Sequence, residues 1–549
     1  MIDINKEDFL FVPLGGSGEI GMNCNLYHYD NSWVMIDLGV MFGNSNLSSN
    51  ELIMPNLSFL EEKNIKLDGL ILTHAHEDHI GAVPYLYEKF KQLTIYTTSF
   101  TASVLKRKFN SNGINDFNLK LLEYNKAIQI GNFNIEILAL THSIPEPNAI
   151  ILRTKTINLF HTGDWKIDPN PLIGEPIDQS KLRDLKNEGI DVMVCDSTNV
   201  FNENPSGSEN DVRKAFREIF AKRKNGKIII TCFASNIARL ETILTVSNEF
   251  HKCCVFLGRS IHRIYESARE NNYLKNLNNI ISDKESINIS EDDIVIICTG
   301  SQGETNAALS RLADDNNKYL SILPNDLIIF SSREIPGNEK KISELKNKLL
   351  KKKCHIFDDK KLKVHVSGHP SKNELKKMYE WLAPNTLIPV HGEFKHMSEH
   401  ASYAEKCGIK NQIIVENGCV VLLDKKNPKI INKVESGRCV LKGNKIFSAN
   451  DRFFDNLKVV STEGEFFLVL IFDINDNLVG EPIIFCPTVS DNEIFKNKIK
   501  KIIQQRVMEI IKNSIVDEIL ASELKKIIRS FIKKNIGLKP ITYIEIVRI

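Results

Sequence analysis

Nowhere in its 549 residues does this chain run apolar for the roughly 20 residues that a membrane-spanning helix needs. Its opening, Met1-Ile2-Asp3-Ile4-Asn5-Lys6-Glu7-Asp8, has none of the features of a signal peptide. These two absences set a cytoplasmic expectation with no membrane partner. Cysteine occurs 11 times but never as C-x-x-C, which argues against zinc ribbons and supplies no disulfide framework. Surplus charge is also missing: the formal net charge is +2, too little to advertise a nucleic-acid partner, so any polyanion site must be local. No internal repeat or low-complexity tract interrupts the chain, and 42% hydrophobic content is ordinary for a globular protein. A chain this long exceeds one hydrophobic core, and roughly two to four domains are expected.

What is present is concentrated. Thr73-His74-Ala75-His76-Glu77-Asp78-His79 packs three imidazoles and two carboxylates directly behind the apolar run Leu70-Ile71-Leu72. With only 14 histidines in the chain, a chance H-x-H-x-[DE]-H is roughly a one-in-a-thousand event. Neutral imidazole with carboxylate suits Zn²⁺ or Mn²⁺, and the thiolates of structural zinc sites are absent, so the motif reads as catalytic. Alternating donors on a strand-end loop can serve two ions, His74 and His76 facing one and Asp78 and His79 the other.

Other strand ends carry similar chemistry. Strands are expected at 9–14, 26–28, 33–36, 69–73, 94–96, 127–130 and 134–140, with a helix over 79–90. Polar clusters follow the apolar runs at Thr141-His142-Ser143, His161-Thr162-Gly163-Asp164 and Cys195-Asp196-Ser197-Thr198-Asn199. The glycine loop 15–21 lacks dinucleotide-fingerprint spacing and reads as a tight turn. From Val212 to Phe330, helices and strands alternate as a Rossmann-like α/β unit. After Lys351-Lys352-Lys353 the histidine-bearing strand ends return, at 364–369 and 387–393. The middle unit therefore reads as an insertion. The expected division is 1–205 and 359–440 for the first domain, 206–358 for the insertion, 441–454 for a linker and 455–549 for a small α/β domain.

His74-Ala75-His76-Glu77-Asp78-His79, His142 and Asp164 together resemble the metallo-β-lactamase superfamily, whose αββα sandwich binds two metals at one edge of its sheets. Asp196 in Asp-Ser-Thr, His369 in Ser-Gly-His and His391 in Pro-Val-His-Gly resemble the three further motifs of its β-CASP nucleases. Pro13-Leu14-Gly15-Gly16, Phe233-Ala234-Ser235-Asn236-Ile237, Thr299-Gly300-Ser301-Gln302-Gly303-Glu304 and Ile335-Pro336-Gly337-Asn338-Glu339 are similar to the ribonuclease J family over nearly the whole chain. The fold class implied is α/β: a metallo-β-lactamase αββα sandwich with an inserted Rossmann-like β-CASP domain and a small α/β C-terminal domain. One departure is the stretch 41–50, uncharged where family members commonly carry several acids that would serve an auxiliary cation.

The resemblance implies a two-metal ribonuclease acting on single-stranded RNA in maturation and decay, 5′→3′ from a 5′-monophosphate end and also endonucleolytically. It implies two divalent ions, Zn²⁺ first and Mn²⁺ as the alternative, with His74, His76 and His142 on one, Asp78, His79 and His391 on the other, and Asp164 bridging. Asp78, Asp196 and His369 would be catalytic, His369 as general acid and Asp196 orienting it. Ser235, Asn236, His365, Ser367, Gly368 and His369 would bind substrate phosphate. His161 and His365 read equally well as packed residues or as supports of a ligand, and both stay outside the metal set. Partners implied are a second copy, as homodimer or homotetramer through the C-terminal domain, and other RNA-decay proteins. Against this stand a small-ester metallo-hydrolase, which would not need the insertion, and a silent RNA-binding scaffold, which would be expected to have lost some of His369, His391 and Asp164.

Overall fold

The structure is a computed structural model that describes residues 7–43, 51–90, 92–223, 225–275, 277, 279–359, 362–511 and 516–549. Residues 44–50, most of the uncharged stretch, lie outside the described residues. The chain divides into two compact units, Met1–Ile446 and Phe447–Ile549.

In the first unit two large mixed sheets face each other. One runs in the order Lys429–Lys433, Cys419–Leu422, Leu10–Gly15, Cys24–Tyr29, Ser32–Ile36, Gly69–Ile71, Thr94–Thr97, Asn118–Leu121. The other runs Ile128–Ile130, Phe133–Ala139, Asn148–Arg153, Asn158–His161, Val192–Asp196, Thr386–Val390, Asn411–Gln412. Phe11, Tyr27, Val34 and Ile71 from the first sheet meet Phe133, Ile135, Ile150, Leu159 and Ile388 from the second in one buried cluster. Period-2 alternation puts the opposite faces outward, where helices cover them: Phe100, Val104 and Phe109 over one sheet, Leu182, Leu185, Leu375 and Met378 over the other. This is the αββα sandwich.

Val192–Asp196 pairs in parallel with Thr386–Val390, Asp196 opposite Val390, although almost 200 residues separate them. Between them lies a six-stranded, wholly parallel sheet in the order Ile280–Ile281, Cys253–Leu257, Ile294–Cys298, Ile228–Thr231, Leu327–Phe330, His355–Phe357. Its central strands are buried on both faces, as parallel strands flanked by helices must be. The second unit packs Glu493–Ile511 and Asp517–Ile536 on a sheet of Ile483–Phe485, Glu465–Phe472 and Ile541–Arg548. Ile499, Ile503 and Val507 on one helix and Leu520, Leu524, Ile528 and Ile532 on the other form its buried stripe.

Several elements differ from the sequence reading. The helix expected over 79–90 is three short pieces, Glu77–Ile80, Val83–Leu86 and a 3₁₀ turn Tyr87–Phe90. Pro84 sits in the first turn of the second piece, where its missing N–H costs nothing and where it starts a helix afresh. The segment 364–369 is not a strand end. It is a loop whose Val364 carbonyl accepts from the buried Arg239 guanidinium (3.0 Å) and from Ser331 Oγ (2.8 Å), so side chains stand in for a ladder. The helix Ser99–Ser111 and the strand Asn148–Arg153 carry no strong sequence signal and escaped the reading. The span 441–454 contains the strand Lys445–Ser448 and the start of the helix Arg452–Glu463, with the boundary between the two units inside it. All 11 cysteines are free thiols, and among the described residues no helix is long and apolar enough to cross a membrane.

Candidate metal centre

Strand ends deliver the donors. Gly69–Ile71 feeds His74, the first turn of Glu77–Ile80 carries Asp78 and His79, and the ends of Phe133–Ala139, Asn158–His161, Val192–Asp196 and Thr386–Val390 lead to His142, Asp164, Asp196 and His391. All these strand ends open on one rim of the sandwich. The glycine loop turns out to support this rim: Gly16 O accepts from His391 N–H (2.6 Å), and Ser17–Gly18 pairs in parallel with Gly392–Glu393.

The donors fall into two sets that share one carboxylate. His74, His76, His142 and Asp164 form the first, and Asp78, His79, Asp164 and His391 the second, each with ligand atoms within 4.8 Å of one another. Asp164 Oδ2 lies 3.8 Å from both His74 Nε2 and His142 Nε2. Its Oδ1 lies 3.2 Å from His79 Nε2 and 3.7 Å from His391 Nε2. One carboxylate thus faces both sets with different oxygens, the geometry of a bridge.

Hydrogen bonds assign the tautomers. The Thr73 hydroxyl donates to Asp37 Oδ2 (2.8 Å), so at His74 Nδ1 (3.0 Å) it must accept. Thr198 Oγ1 donates to the His391 carbonyl (2.9 Å) and therefore accepts from His391 Nδ1 (2.6 Å). His142 Nδ1 donates to Gly368 O (2.5 Å), and His79 Nδ1 donates to Asp37 Oδ2 (2.7 Å). With Nδ1 occupied in this way, each of the four rings turns Nε2 toward the shared centre, which is how backbone and carboxylate partners orient a histidine for a metal. Asp164 Oδ1 is buried with no hydrogen-bond donor, although it stands between two such nitrogens. Ring nitrogens gathered around a buried carboxylate oxygen with no hydrogen-bond partner fit a cation.

The electrostatics differ between the sets. Burial, reinforced by the neighbouring imidazoles, pushes His74 and His142 well below the ordinary histidine range and His76 to about 4, so these rings are neutral and able to ligate. Burial also opposes charge on His79 and His391. Around them, however, the carboxylates of Asp164, Asp78 and, for His79, Asp37 prevail, holding His79 well above its usual range and His391 up at about 9. The second set is a place where positive charge is wanted.

His369 lies beside both. Its Nδ1 is 2.7 Å from Asp196 Oδ2 and 3.8 Å from Asp164 Oδ2. Burial lowers its pKa, and the Asp196 and Asp164 carboxylates more than offset that, leaving it raised. Asp196 Oδ1 accepts from Thr198 N–H (2.8 Å), so the carboxylate is fixed before it meets the ring. Asp164, Asp196, His369 and His391 could form a third ligand group, but the short Asp196–His369 contact already pairs two of its donors.

The structure groups some of the remaining sequence candidates. Asn236 and Ser367 line one small cavity with His142, Ser143, Lys166 and Asp168. Asn236 caps the helix Ile237–Glu249, its Oδ1 accepting from Arg239 N–H (2.9 Å), which leaves Nδ2 as the free donor. Gly368 is needed at its place: a Cβ there would stand 2.5 Å from His142 Cε1. Ser235 is half-buried just before Asn236. His365 is half-buried with its Nδ1 enclosed and unpartnered, and desolvation with the nearby Arg239, Arg333 and Lys166 cations pushes it well below its usual range. His161 is packed, its Nδ1 bonded to Tyr27 OH (2.8 Å), and takes no part in the donor sets.

Sequence reasoning missed Asp37, Thr73 and Thr198 as supports. Asp37 Oδ1 accepts from Thr73 N–H (2.8 Å) while Oδ2 holds the Thr73 hydroxyl and His79. The signal available was Asp37 ending the apolar run Trp33–Ile36, the same apolar-strand-then-acid pattern that exposed Asp164 and Asp196.

Sandwich and donor sets together define a metallo-hydrolase of the metallo-β-lactamase superfamily. That superfamily matches residues 18–106, the β-CASP domain of ribonuclease J matches residues 225–349, and a Zn-dependent metallo-hydrolase RNA specificity domain matches residues 360–414. Ribonuclease J of Sinorhizobium meliloti is 36% identical over 87% of this chain and 85% of that protein. Ribonuclease J of Mycoplasma pneumoniae is 31% identical over 87% and 85%, and that of Thermus thermophilus 30% over 82% and 80%. The chain belongs to the ribonuclease J family. A crystal structure of a protein of unknown function from Enterococcus faecalis V583 has the same fold, with a TM-score of 0.54 at 15% identity over 76% of this chain and all of that one.

Proposed function

We propose that this protein is a two-metal ribonuclease that degrades single-stranded RNA 5′→3′ from a 5′-monophosphate end and also cleaves internally. The observation that carries the reading is Asp164, one carboxylate facing two histidine-rich donor sets with its two oxygens. His74, His76 and His142 would hold one ion, Asp78, His79 and His391 the other, and Asp164 both. Five imidazoles among seven ligands favour Zn²⁺ over Mn²⁺. Bound together, two such cations lower the pKa of water toward neutrality and neutralise the charge of a phosphodiester in flight.

The protein's own groups do the rest. His369, made basic by Asp196 and bonded to it through Nδ1, holds its transferable proton on Nε2 and delivers it to the departing 3′ oxygen. Asp196 fixes that ring, while Thr198 bonds both Asp196 and His391 and keeps the two in register. Hydrolysis then leaves 5′-phosphate and 3′-hydroxyl ends. The candidate seat for the terminal phosphate is the surface around Asn236 and Ser367 beside His142, where Lys166, paired with Asp168 at 3.4 Å, stands close by; Ser235, His365 and Gly368 border it in sequence. A phosphate held there would measure out one nucleotide from the metals, giving processive 5′→3′ exonuclease action. The division 1–205, 206–358, 359–440 and 455–549 is supported by the β-CASP match at 225–349, which falls within the insertion. The cytoplasm is the compartment of such an enzyme, and a second copy of the chain its partner.

The test uses one labelled RNA with a 5′-monophosphate, 5′-triphosphate or 5′-hydroxyl end, with and without chelator. Mononucleotides are expected fastest from the monophosphate. Equal rates on all three would remove the end-sensing claim, and activity that survives the chelator would remove the metal claim.

A further inference from the structure

Two large apolar side chains stand in solvent a few residues along the chain from Asp196 and His391. Phe201 is 54% exposed and Phe394 59%. Phe201 closes the turn that starts at Asp196, and Phe394 opens the helix Phe394–Lys406 directly after His391-Gly392-Glu393. A scattered exposed phenylalanine is ordinary, and what sets Phe201 apart is how firmly it is held out. Val200 beside it is fully buried. Val200 N–H donates to Ser197 O (3.2 Å), Asn202 N–H donates to Asn199 O (3.0 Å), and Asn202 O accepts from Lys372 N–H (2.9 Å). The Asn199 side chain donates to His369 O (3.3 Å) and accepts from Arg333 Nη1 (2.9 Å). The segment that presents Phe201 is therefore the same one that positions Asp196 and Thr198.

The surroundings point to a ligand with π faces and negative charge. One side of Phe201 rests on the His396 ring, centroids 5.2 Å apart, and more than half of the side chain remains open. His396 Nδ1 is buried without a hydrogen-bond partner, the nearest carboxylate being Glu393 at 3.9 Å, itself occupied by Lys395 at 2.7 Å. Arg333 supplies an exposed guanidinium tied to Asn199. Rigid aromatic rings beside a cation are how single-stranded nucleic acid is held without regard to sequence, base on ring and phosphate near the charge.

Resting on the nuclease reading, we propose that Phe201, backed by His396 and flanked by Arg333, stacks bases of the RNA strand on the 3′ side of the scissile phosphate, with Phe394 as a second stacking surface. The side follows from the two ends of the metal centre. The candidate phosphate cavity includes His142, which faces Asp164 Oδ2, whereas the Asp196–Phe201 turn supports His391, which faces Oδ1. With the first nucleotide at the His142 end, the next ones pass Phe201.

The experiment compares wild type, Phe201→Ala and Phe201→Trp on a 5′-monophosphorylated RNA and on the same RNA made abasic at nucleotides 2 and 3. Phe201→Ala is expected to lower kcat/KM on intact RNA roughly 5- to 150-fold, the loss that follows removal of one base-stacking ring. Phe201→Trp should restore it. The abasic RNA should cost the wild type a similar factor and cost Phe201→Ala nothing more. Metal content and melting temperature of each variant show that the centre and the fold are intact. Wild-type rates for Phe201→Ala on intact RNA, or an equal loss on intact and abasic RNA, would overturn the stacking platform while leaving the nuclease reading in place. A wild-type protein that leaves every RNA uncut would overturn the nuclease reading first.

Discussion

Replacing Asp37 by Asn tests whether the metal centre depends on a carboxylate that touches no metal. Asp37 is fully buried and accepts three hydrogen bonds, from Thr73 N–H and Thr73 Oγ1–H at 2.8 Å and from His79 Nδ1–H at 2.7 Å. Asparagine offers one acceptor oxygen and an NH₂ group. In either orientation that NH₂ faces a donor, the Thr73 amide in one case and His79 Nδ1–H in the other. Where it faces His79, the imidazole relieves the clash by moving its proton to Nε2, the atom that should ligate the second ion. A hydrogen bond to a charged group is worth roughly 1.5–3 kcal/mol, and loss of such a support typically costs about 10- to 100-fold in metal affinity. Asp37→Asn should therefore weaken the ion held by Asp78, His79 and His391 by about 10- to 100-fold while leaving the three-histidine ion much less affected. Calorimetric titration of metal-stripped protein with Zn²⁺ resolves the two events, and circular dichroism checks the fold. A folded variant that binds both ions within a factor of two of wild type would refute the reasoning.

Three further outcomes are expected. Gly368→Ala puts a Cβ 2.5 Å from His142 Cε1, so His142 must shift; Zn²⁺ retained after dialysis should fall toward one ion per chain, and two tightly held ions would contradict it. His369→Gln should lower kcat on RNA roughly 10²- to 10⁴-fold, the usual worth of a general acid, with metal content unchanged on elemental analysis. Loss of metal along with activity would instead make His369 a ligand. His400 is buried, bonded through Nδ1 to Ser197 (2.9 Å) and through Nε2 to Tyr379 OH (2.6 Å), and burial lowers its pKa from 6.5 to about 4. Only the unfolded chain binds a proton there between those values, so stability is complete above pH 6.5 and is lost as pH falls toward 4, by about 2 kcal/mol at pH 5. Denaturant unfolding of wild type and His400→Gln between pH 7.5 and 5 measures this, and equal pH slopes would show that His400 contributes none of it.

Much of the fold was legible because its signals are local. Apolar strands of four to six residues, the 3.6-residue stripe of Ile499, Ile503 and Val507, and a parallel middle unit without alternation all follow from side-chain periodicity. The helix over 79–90 was misjudged because apolar periodicity continues across Gly81 and Pro84, while the backbone cannot. The strand end expected at 364–369 is a loop because the partner of its Val364 carbonyl, Arg239, lies far away in sequence and only folding brings it there.

The candidate donors were legible in two ways: His74, His76, Asp78 and His79 from a cluster of rare residues at a strand end, and His142, Asp164 and His391 from the resemblance to the family; all seven fall in the two groups on the rim. How each of them is held was decided in three dimensions. That Asp164 turns one oxygen to each set, that Asp37 and Thr198 choose which imidazole nitrogen keeps its lone pair, and that Arg239 of the insertion holds the loop bearing His369 are consequences of Val192–Asp196 pairing with Thr386–Val390 across the inserted unit. Residue identity limits which atoms can ligate or carry a proton. Only the packed chain sets the distances and hydrogen bonds that determine which of them do, because those depend on partners far apart in the sequence.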